Sequence, residues 1–443
     1  MSKIDTLKRY YHYYGMKMLL LKLFRNHSAE NFDYDLWLKK NTITEAELEK
    51  QKKYEFTYNP KISIIVPTYE TPKIFLREMI ESVQRQTYSN WELCIADGSV
   101  SDQVMQVIQT YAQADKRIIA KKLMKNKGIA DNTNAAITMA SGEYIALLDH
   151  DDLLAPDALF EVVRCVNDNE KADVIYSDED KITADSARRF EPHFKMDFNI
   201  ELLRSNNYIC HLFVVKRLIV EEIGGFRNDF DGAQDYDLIL RCIERAEGIY
   251  HIPKILYHWR VHQSSTAENP ESKLYAYDAG KRAVEGFLKL RGFKGRVVSL
   301  KHLGFYRIEY EPDLLSNRPD VGLVGGRLVD HKNKIAGGIY REDGTPLYAG
   351  LHKEYSGYMH RAVLQQEAEV IDVRCMMASP AGEKLIEELT GLPYMKNPVN
   401  KRFDWKGSLK EDVDYLELSR KLCSQIRQKG MRIVYDPAMT EKI

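Results

Sequence analysis

The 443-residue chain lacks any apolar run near the roughly 18–20 residues needed to cross a bilayer, so no membrane span is expected. It has few cysteines: Cys94, Cys165, Cys210, Cys242, Cys375 and Cys423 lie far apart, with no Cys-x-x-Cys pair. That spacing argues against a disulfide framework or a zinc knuckle and suits a reducing compartment. It also lacks net charge. Lys and Arg total 64 against 65 Asp and Glu, leaving −1, so there is no global basic field to attract nucleic acid. Any anion site must be local. There is no Gly-x-Gly-x-x-Gly and no Walker lysine loop, so neither a dinucleotide site nor a P-loop is indicated.

What is present reads as a soluble globular protein of two or three domains, since 44% hydrophobic and 29% charged residues are an ordinary mixture. Residues 1–58 read as a helical arm. Its first part, "TLKRYYHYYGMKMLLLKLFRNH", is basic, aromatic and apolar, without the small-residue cleavage site of a signal peptide. Two readings stay open for it: an amphipathic helix lying on a membrane surface, or a helix docked on the protein itself. "TITEAELEK" then carries a helix start, with Thr42 or Thr44 as the cap.

From Pro60 the pattern alternates. "KISIIVPTY", "WELCIAD", "RIIAKKLM" and "EYIALLD" are short apolar runs expected to be buried strands. "TPKIFLREMIESVQRQT", "SDQVMQVIQTYAQAD" and "IADNTNAAITMAS" between them are expected helices. This alternation predicts βαβ units and a mostly parallel sheet flanked by helices. Ligands of such sheets sit off the carboxyl ends of the strands, where "PTYE", "ADGS" and "DHDD" fall. Further on, "ADVIYSDED" predicts a strand, "QDYDLILRCIERA" a helix with Asp235 and Asp237 in its first turn, and "GIYHIPKILYHWRVH" a strand pair around Pro253.

The residue types at those ends suggest chemistry. Asp149 and Asp151 are two apart, so at a strand end both carboxylates can face one side and bind a divalent cation that shares phosphate oxygens. A calcium EF-hand fits poorly, because Leu153 and Leu154 fill the space where its ligands and glycine would stand. The same spelling at Asp178-Asp180 and Asp412-Asp414 reads as loop or helix cap. Tyr69 offers a ring for base stacking, worth about 1–3 kcal/mol, or is part of an ordinary turn. Asp97 can accept from a pyrimidine nitrogen or cap the following helix.

"ISIIVPTYETP", "SVQRQTYSNWELCIADGS", "NKGIADNTNAAITMASGEYIALLDHDDLLAPDAL" and "GGFRNDFDGAQDYDLILR…HIPKILYHWRVHQSSTA" together resemble family 2 glycosyltransferases of bacterial cell-surface polysaccharide synthesis, the rhamnosyltransferase-like ones among them. The resemblance implies a GT-A (Rossmann-like) α/β fold, a nucleoside-diphosphate sugar donor, Mn²⁺ or Mg²⁺, and inversion at the anomeric carbon. It assigns Pro67, Thr68, Tyr69 and Glu70 to the base-binding turn, Asp97 to the base, and Lys127 and Asn134 to the nucleotide. Asp151 becomes the direct metal ligand, with Asp149 at the ribose or the metal and Asp152 either ligand or cap. Asp235 falls at the catalytic base, preceded by Gln234 where the family more often has Glu. His262 becomes a further metal ligand, Arg260 a phosphate partner and Trp259 a wall of the sugar pocket.

After about residue 300, "RPDVGLVGGRLVDHKNKIAGGIY" resembles the later part of a second glycosyltransferase unit, and "KEDVDYLELSRKLCSQIRQKGMRIVYDP" echoes "AQDYDLILRCIERAEGIYHIP". No second "IVPTY" accompanies them. The expected organisation is therefore an arm (1–58), a catalytic domain (59–300) and a smaller, non-catalytic α+β unit (301–443). That unit holds the acceptor, pairs two copies of the chain, or scaffolds. The implied activity is transfer of a hexose to a hydroxyl of a growing O-antigen, capsule or cell-wall glycan, in the cytoplasm or at the inner membrane face if the acceptor is lipid-linked. A degenerate scaffold or glycan-binding protein is the alternative. A sugar nucleotidyltransferase is disfavoured, because "PTYETPKIF" lacks a glycine-rich basic loop.

Overall fold

The computed structural model describes residues 32–262, 274–409 and 412–443. The membrane-or-docked question for the first thirty residues lies outside them. The rest of the arm is helical, over Tyr34–Asn41 and Glu45–Lys52, and Thr44 closes a capping box with Glu47.

The main sheet is built from β1 (Ile62–Thr68), β2 (Trp91–Asp97), β3 (Ile118–Lys122), β4 (Tyr144–Leu147), β5 (Leu153–Leu154), β6 (Ala172–Thr183), β7 (Arg189–His193), β8 (Phe213–Lys216) and β9 (Gly248–Val261). Their order is β3-β2-β1-β4-β8-β6-β9-β5, with β7 on β6. The helix-flanked α/β sheet is as the sequence predicts. Parallel pairing, however, joins β3-β2-β1-β4 and β6 to β9, while β8 runs antiparallel to both β4 and β6. The sheet is mixed, and its antiparallel half carries consequences for the site. Around Pro253 there is one strand rather than two. The register jumps from Ser177–Ile252 to Asp178–Ile255, bulging out Pro253 and Lys254, as a residue without an N–H requires.

Side chains alternate across the sheet as a two-residue period demands. Ile62, Ile64, Val66, Leu93 and Ile95 pack under the helices Lys73–Gln84, Gln103–Ala114 and Ala158–Asp168. Ile65, Cys94 and Ala96 face the opposite core, under Ile129–Ile137, Gln234–Ile243 and Leu274–Arg291. Both faces are covered, which explains why the strands read as continuous apolar runs.

The second core does not stop at residue 300. It continues through β10 (Gly295–Ser299) and β11 (Tyr306–Tyr310), a hairpin straddling that boundary, to Val321, Val324, Leu364 and Val434. The C-terminal unit has its own sheet. It is built from β12 (Val321–Val329), β13 (Ile335–Gly337), β15 (Gln366–Glu367), β17 (Met376–Ala378) and β18 (Arg432–Lys442), with β12 parallel to β18, while β14 (Ile339–Tyr340) and β16 (Val370–Ile371) pair with each other. The sequence echo corresponds to a shared order: helix Tyr415–Gln428 then β18, as helix Gln234–Ile243 precedes β9. Asp414 caps its helix, accepting from Leu416 and Glu417 N–H, so that spelling is a cap as expected. The two units also share an ion network around buried Arg318. Arg318 reaches Glu201 at 2.7 Å and grips Asp320 with two hydrogen bonds.

At the opposite end of the main sheet from the DHDD turn, buried Glu92 ties β2 to β1 and to the turn entering β4. It accepts from Ser63 Oγ at 2.6 Å, from Ser141 and Gly142 N–H, and pairs with Lys61. Burial alone would raise its carboxyl; Lys61 and the Ser63 and Ser141 hydrogen bonds prevail and hold it at about 2. An unfolded Glu titrates near 4.5, so its stabilisation is complete above that pH and disappears as pH falls toward 2. Glu92→Gln is therefore expected to lower urea-unfolding stability by about 3 kcal/mol at neutral pH. That difference should shrink steadily when the titrations are repeated between pH 4.5 and 2.

Candidate functional site

The ends of β1 and β2 form one wall. Thr68 Oγ1 donates to Asp97 Oδ1 at 3.1 Å, Ser99 donates to the same oxygen through N–H (3.0 Å) and Oγ (2.6 Å), and Lys122 Nζ meets Oδ2 at 3.0 Å. Asp97 is fully buried, so its carboxylate shapes this loop from within. Gly98 follows it because a Cβ there would stand 2.7 Å from Asn132 Nδ2. Pro67 is buried in β1, while the Tyr69 ring is 47% exposed off its end. Glu70 takes a positive φ of 48°, donates its N–H to Ser99 Oγ and accepts from Val100 N–H at 2.8 Å. Lys127 is exposed. Asn134 is spent elsewhere: its amide donates to Phe226 O at 2.9 Å and accepts Phe226 N–H at 2.8 Å, tying two segments together. Gly225, at φ +70°, lets that amide approach.

The DHDD turn forms the floor. Its residues are in a tight turn rather than an extended strand end, and each carboxylate has its own partners. Asp149, 49% exposed at its side chain, faces His211 Nε2 at 3.8 Å. Asp151 Oδ2 lies 2.8 Å from His262 Nε2. Asp152 is fully buried, accepting from Tyr257 OH at 2.6 Å and from Arg260 N–H at 2.7 Å. Burial pushes its carboxyl well up, and the charges of Asp151 and Asp149 add to that. The antiparallel pairing of β5 with His258 and Tyr257 of β9 brings these partners under the turn.

β8 supplies what the sequence reading missed. Because it runs antiparallel to β4, with Phe213 opposite Leu147, its start lies where β4 ends. Cys210 and His211, just before it, therefore reach the DHDD turn. His211 stacks on Tyr257 (4.7 Å, 15°), and its Nδ1 meets Glu179 Oε2 at 3.1 Å. Burial opposes a charged imidazole here, but Glu179, Asp149 and Asp152 raise its pKa to about 9. Burial would likewise raise Glu179; Lys195 with His193 and His211 holds it well below its ordinary range. Asp235 opens the helix Gln234–Ile243, and its Oδ2 accepts from Asn207 Nδ2 at 2.9 Å and from the Cys210 thiol at 2.9 Å. The polar pair "CH" ahead of an apolar strand was the available signal.

β9 closes the other side. Trp259 leans on His211, with ring centroids 5.6 Å apart, and Lys181 Nζ lies 5.5 Å from the indole centroid. Arg260 is fully buried: Nε donates to Asp151 O, Nη1 to Ala184 O and Ser186 Oγ, and Nη2 pairs with Glu78. Arg260 and Asn134 thus both make internal contacts in this structure, Arg260 to the turn and to Glu78, and Asn134 to Phe226. Asp178 and Asp180 lie within β6, facing His251 at 2.8 Å and His258 at 2.6 Å.

Among the described residues, Asp149, Asp152 and His211 bring three potential ligand atoms within 4.8 Å of one another. The donor set suits a divalent ion that accepts oxygen and imidazole, with His211 releasing its proton as the ion binds. The Glu179–His211 contact is the usual carboxylate support behind a metal-binding imidazole. Asp151 and His262 form a second acid–imidazole pair on the same turn.

Residues 63–224 match the family model described as Glycosyl transferase family 2. The chain contains a family 2 glycosyltransferase domain. An uncharacterized protein of Sinorhizobium fredii is 48% identical over 232 residues, 52% of this chain and 25% of that protein. The O-antigen biosynthesis protein RfbC of Myxococcus xanthus is 31% identical over 279 residues, 63% of this chain and 22% of RfbC. The chain thus spans a quarter or less of the length of these two relatives. Among solved structures, Staphylococcus aureus TarS 1-349 superposes with a TM-score of 0.42 at 18% identity, covering 52% of this chain and 65% of TarS 1-349. The family domain holds β1, β2, the DHDD turn and His211, while Asp235, Trp259 and His262 lie beyond its matched end.

If Asn134 is a strut, Asn134→Ala should lower stability by about 1–3 kcal/mol, the loss of buried hydrogen bonds. Nucleotide affinity of the folded fraction, read by calorimetry, should stay within about twofold. A tenfold loss of affinity without a stability change would put Asn134 at the nucleotide instead.

Proposed function

We propose that the glycosyltransferase domain moves a sugar, with inversion, from a nucleoside-diphosphate sugar to a hydroxyl of a growing surface glycan. The observation that carries this is the adjacency of Cys210 and His211: one residue touches the base candidate Asp235, the next faces Asp149 on the turn. A proton acceptor and an acid–imidazole cluster thus stand on either side of one dipeptide, as transfer to a hydroxyl with departure of a diphosphate requires.

Asp235 Oδ2 is held by Asn207 and Cys210, which leaves Oδ1 to take the proton of the attacking hydroxyl. The exposed Tyr69 ring offers a stacking surface for a base, and Trp259 a wall for the sugar. Asp149, Asp151, His211 and His262 are the residues that would hold Mn²⁺ or Mg²⁺. When bound, such an ion offsets the negative charge of the departing diphosphate. RfbC's name, O-antigen biosynthesis protein, supports a surface glycan as acceptor. No helix among the described residues is long and apolar enough to cross a membrane. We infer a cytoplasmic site of action, at the inner membrane face where the acceptor is lipid-linked.

The test is to incubate the protein with Mn²⁺ and a panel of nucleotide sugars and follow slow donor hydrolysis. Wild type is expected to hydrolyse one donor, and Asp151→Ala to lose that activity. With acceptor present, Asp235→Asn should lower transfer about 10²–10⁴-fold while donor binding persists. A wild type that binds no donor and behaves like Asp151→Ala sinks the enzyme reading and favours a scaffold.

A further inference from the structure

Lys195 has no role in the chemistry above, yet its side chain is fully buried beside it. Its ammonium donates to three successive carbonyls, Ile209 O (3.2 Å), Cys210 O (2.6 Å) and His211 O, and pairs with Glu179 Oε2 at 3.5 Å. An ammonium has three protons and no acceptor capacity, so this set saturates it. Three consecutive carbonyls converging on one point bend the chain sharply, and His211 sits at a positive φ of 57°. A non-glycine residue keeps such a conformation only where its surroundings over-determine it. Lys195 is anchored in turn, since its own N–H donates to Asp178 Oδ1 at 2.8 Å.

The bend decides where two side chains go. Cys210 turns its thiol to Asp235, and His211 turns Nε2 to Asp149. Both directions depend on the same two peptide units. We propose that Lys195 is a positioning residue that sets the base side and the cation side of the site together, through the backbone of residues 209–211. This rests on the glycosyltransferase reading for the identity of the two sides. Glu179 takes part through one oxygen, Oε2, which pairs with the ammonium and supports the His211 ring. Removing the ammonium frees three carbonyls, lets the bend relax, and moves both side chains at once. A residue serving only packing would leave cation affinity and the turnover of folded protein unchanged.

The experiment compares wild type, Lys195→Met and Cys210→Ala, each checked for folding by thermal melting. Mn²⁺ binding is titrated by the resonance signal of the free ion, without donor or acceptor. Lys195→Met is expected to weaken Mn²⁺ binding by about tenfold or more, as loss of supporting contacts to a metal ligand does. It should also lower kcat for transfer by about 100-fold, the scale of a 1 Å misplacement, with donor KM little changed. Cys210→Ala should lower transfer alone and leave Mn²⁺ affinity at the wild-type value. Should Lys195→Met not fold, Lys195→Arg keeps the charge beside Glu179, and its planar fork is expected to misplace the carbonyls and weaken Mn²⁺ binding too. Mn²⁺ affinity equal to wild type in the folded Lys195 variant, or a wild type that binds no Mn²⁺, overturns the proposal. A wild type that binds Mn²⁺ but transfers no sugar removes the transferase reading, and the Mn²⁺ comparison still decides the role of Lys195.

Discussion

Three carboxylates within four residues repel one another, and the turn that holds Asp149, Asp151 and Asp152 exists only because each has a different partner. Asp152 is taken inside by Tyr257 OH and Arg260 N–H, Asp151 is met by His262, and Asp149 is left half exposed toward His211. Tyr257 clamps the turn twice, accepting Asp149 N–H while donating to Asp152. The most deeply buried of the three carboxyls is therefore the one with the most donors. The surrounding sheet serves this partition: β5 and β9 deliver the internal donors, and β8 delivers the histidine.

Behind that turn lies a further layer of paired charge. Glu179 sits on β6 between Lys195, His193 and His211, while its neighbours Asp178 and Asp180 point the other way to His251 and His258. Alternation along one strand thus sends one acid to support the site and two to brace the scaffold. The C-terminal unit joins the same body through a continuous apolar core and through buried Arg318, which links buried Glu201 to the exposed Asp320. Its contacts reach toward the site: Tyr358 OH accepts Phe194 N–H at 2.9 Å, next to Lys195. A unit that shares a core with the catalytic fold restrains it, whatever else it binds.

Much of this was legible beforehand. Apolar runs, helical periodicity and the Thr44 cap located β1 to β4 and their helices, because local propensity and burial agree there. The strand-end rule picked out Tyr69 and the DHDD turn, the family resemblance pointed to Asp235, and helix capping explained Asp414. Less legible were residues whose roles depend on distant partners. Asn134 meets Phe226, and Arg260 meets Glu78 and Ser186, contacts that no spacing in the sequence announces.

The sequence alone determined the α/β class, the family resemblance and the strand ends at which acids gather, since these follow from short-range pattern. Tertiary structure decided which acid meets which base. The reason is strand direction: alternating βα units suggest parallel neighbours, but β8 enters antiparallel to β4, so Cys210 and His211 arrive at the end where Asp149 stands. Strand direction is set by the packing of both cores, and no local spacing in the chain encodes it.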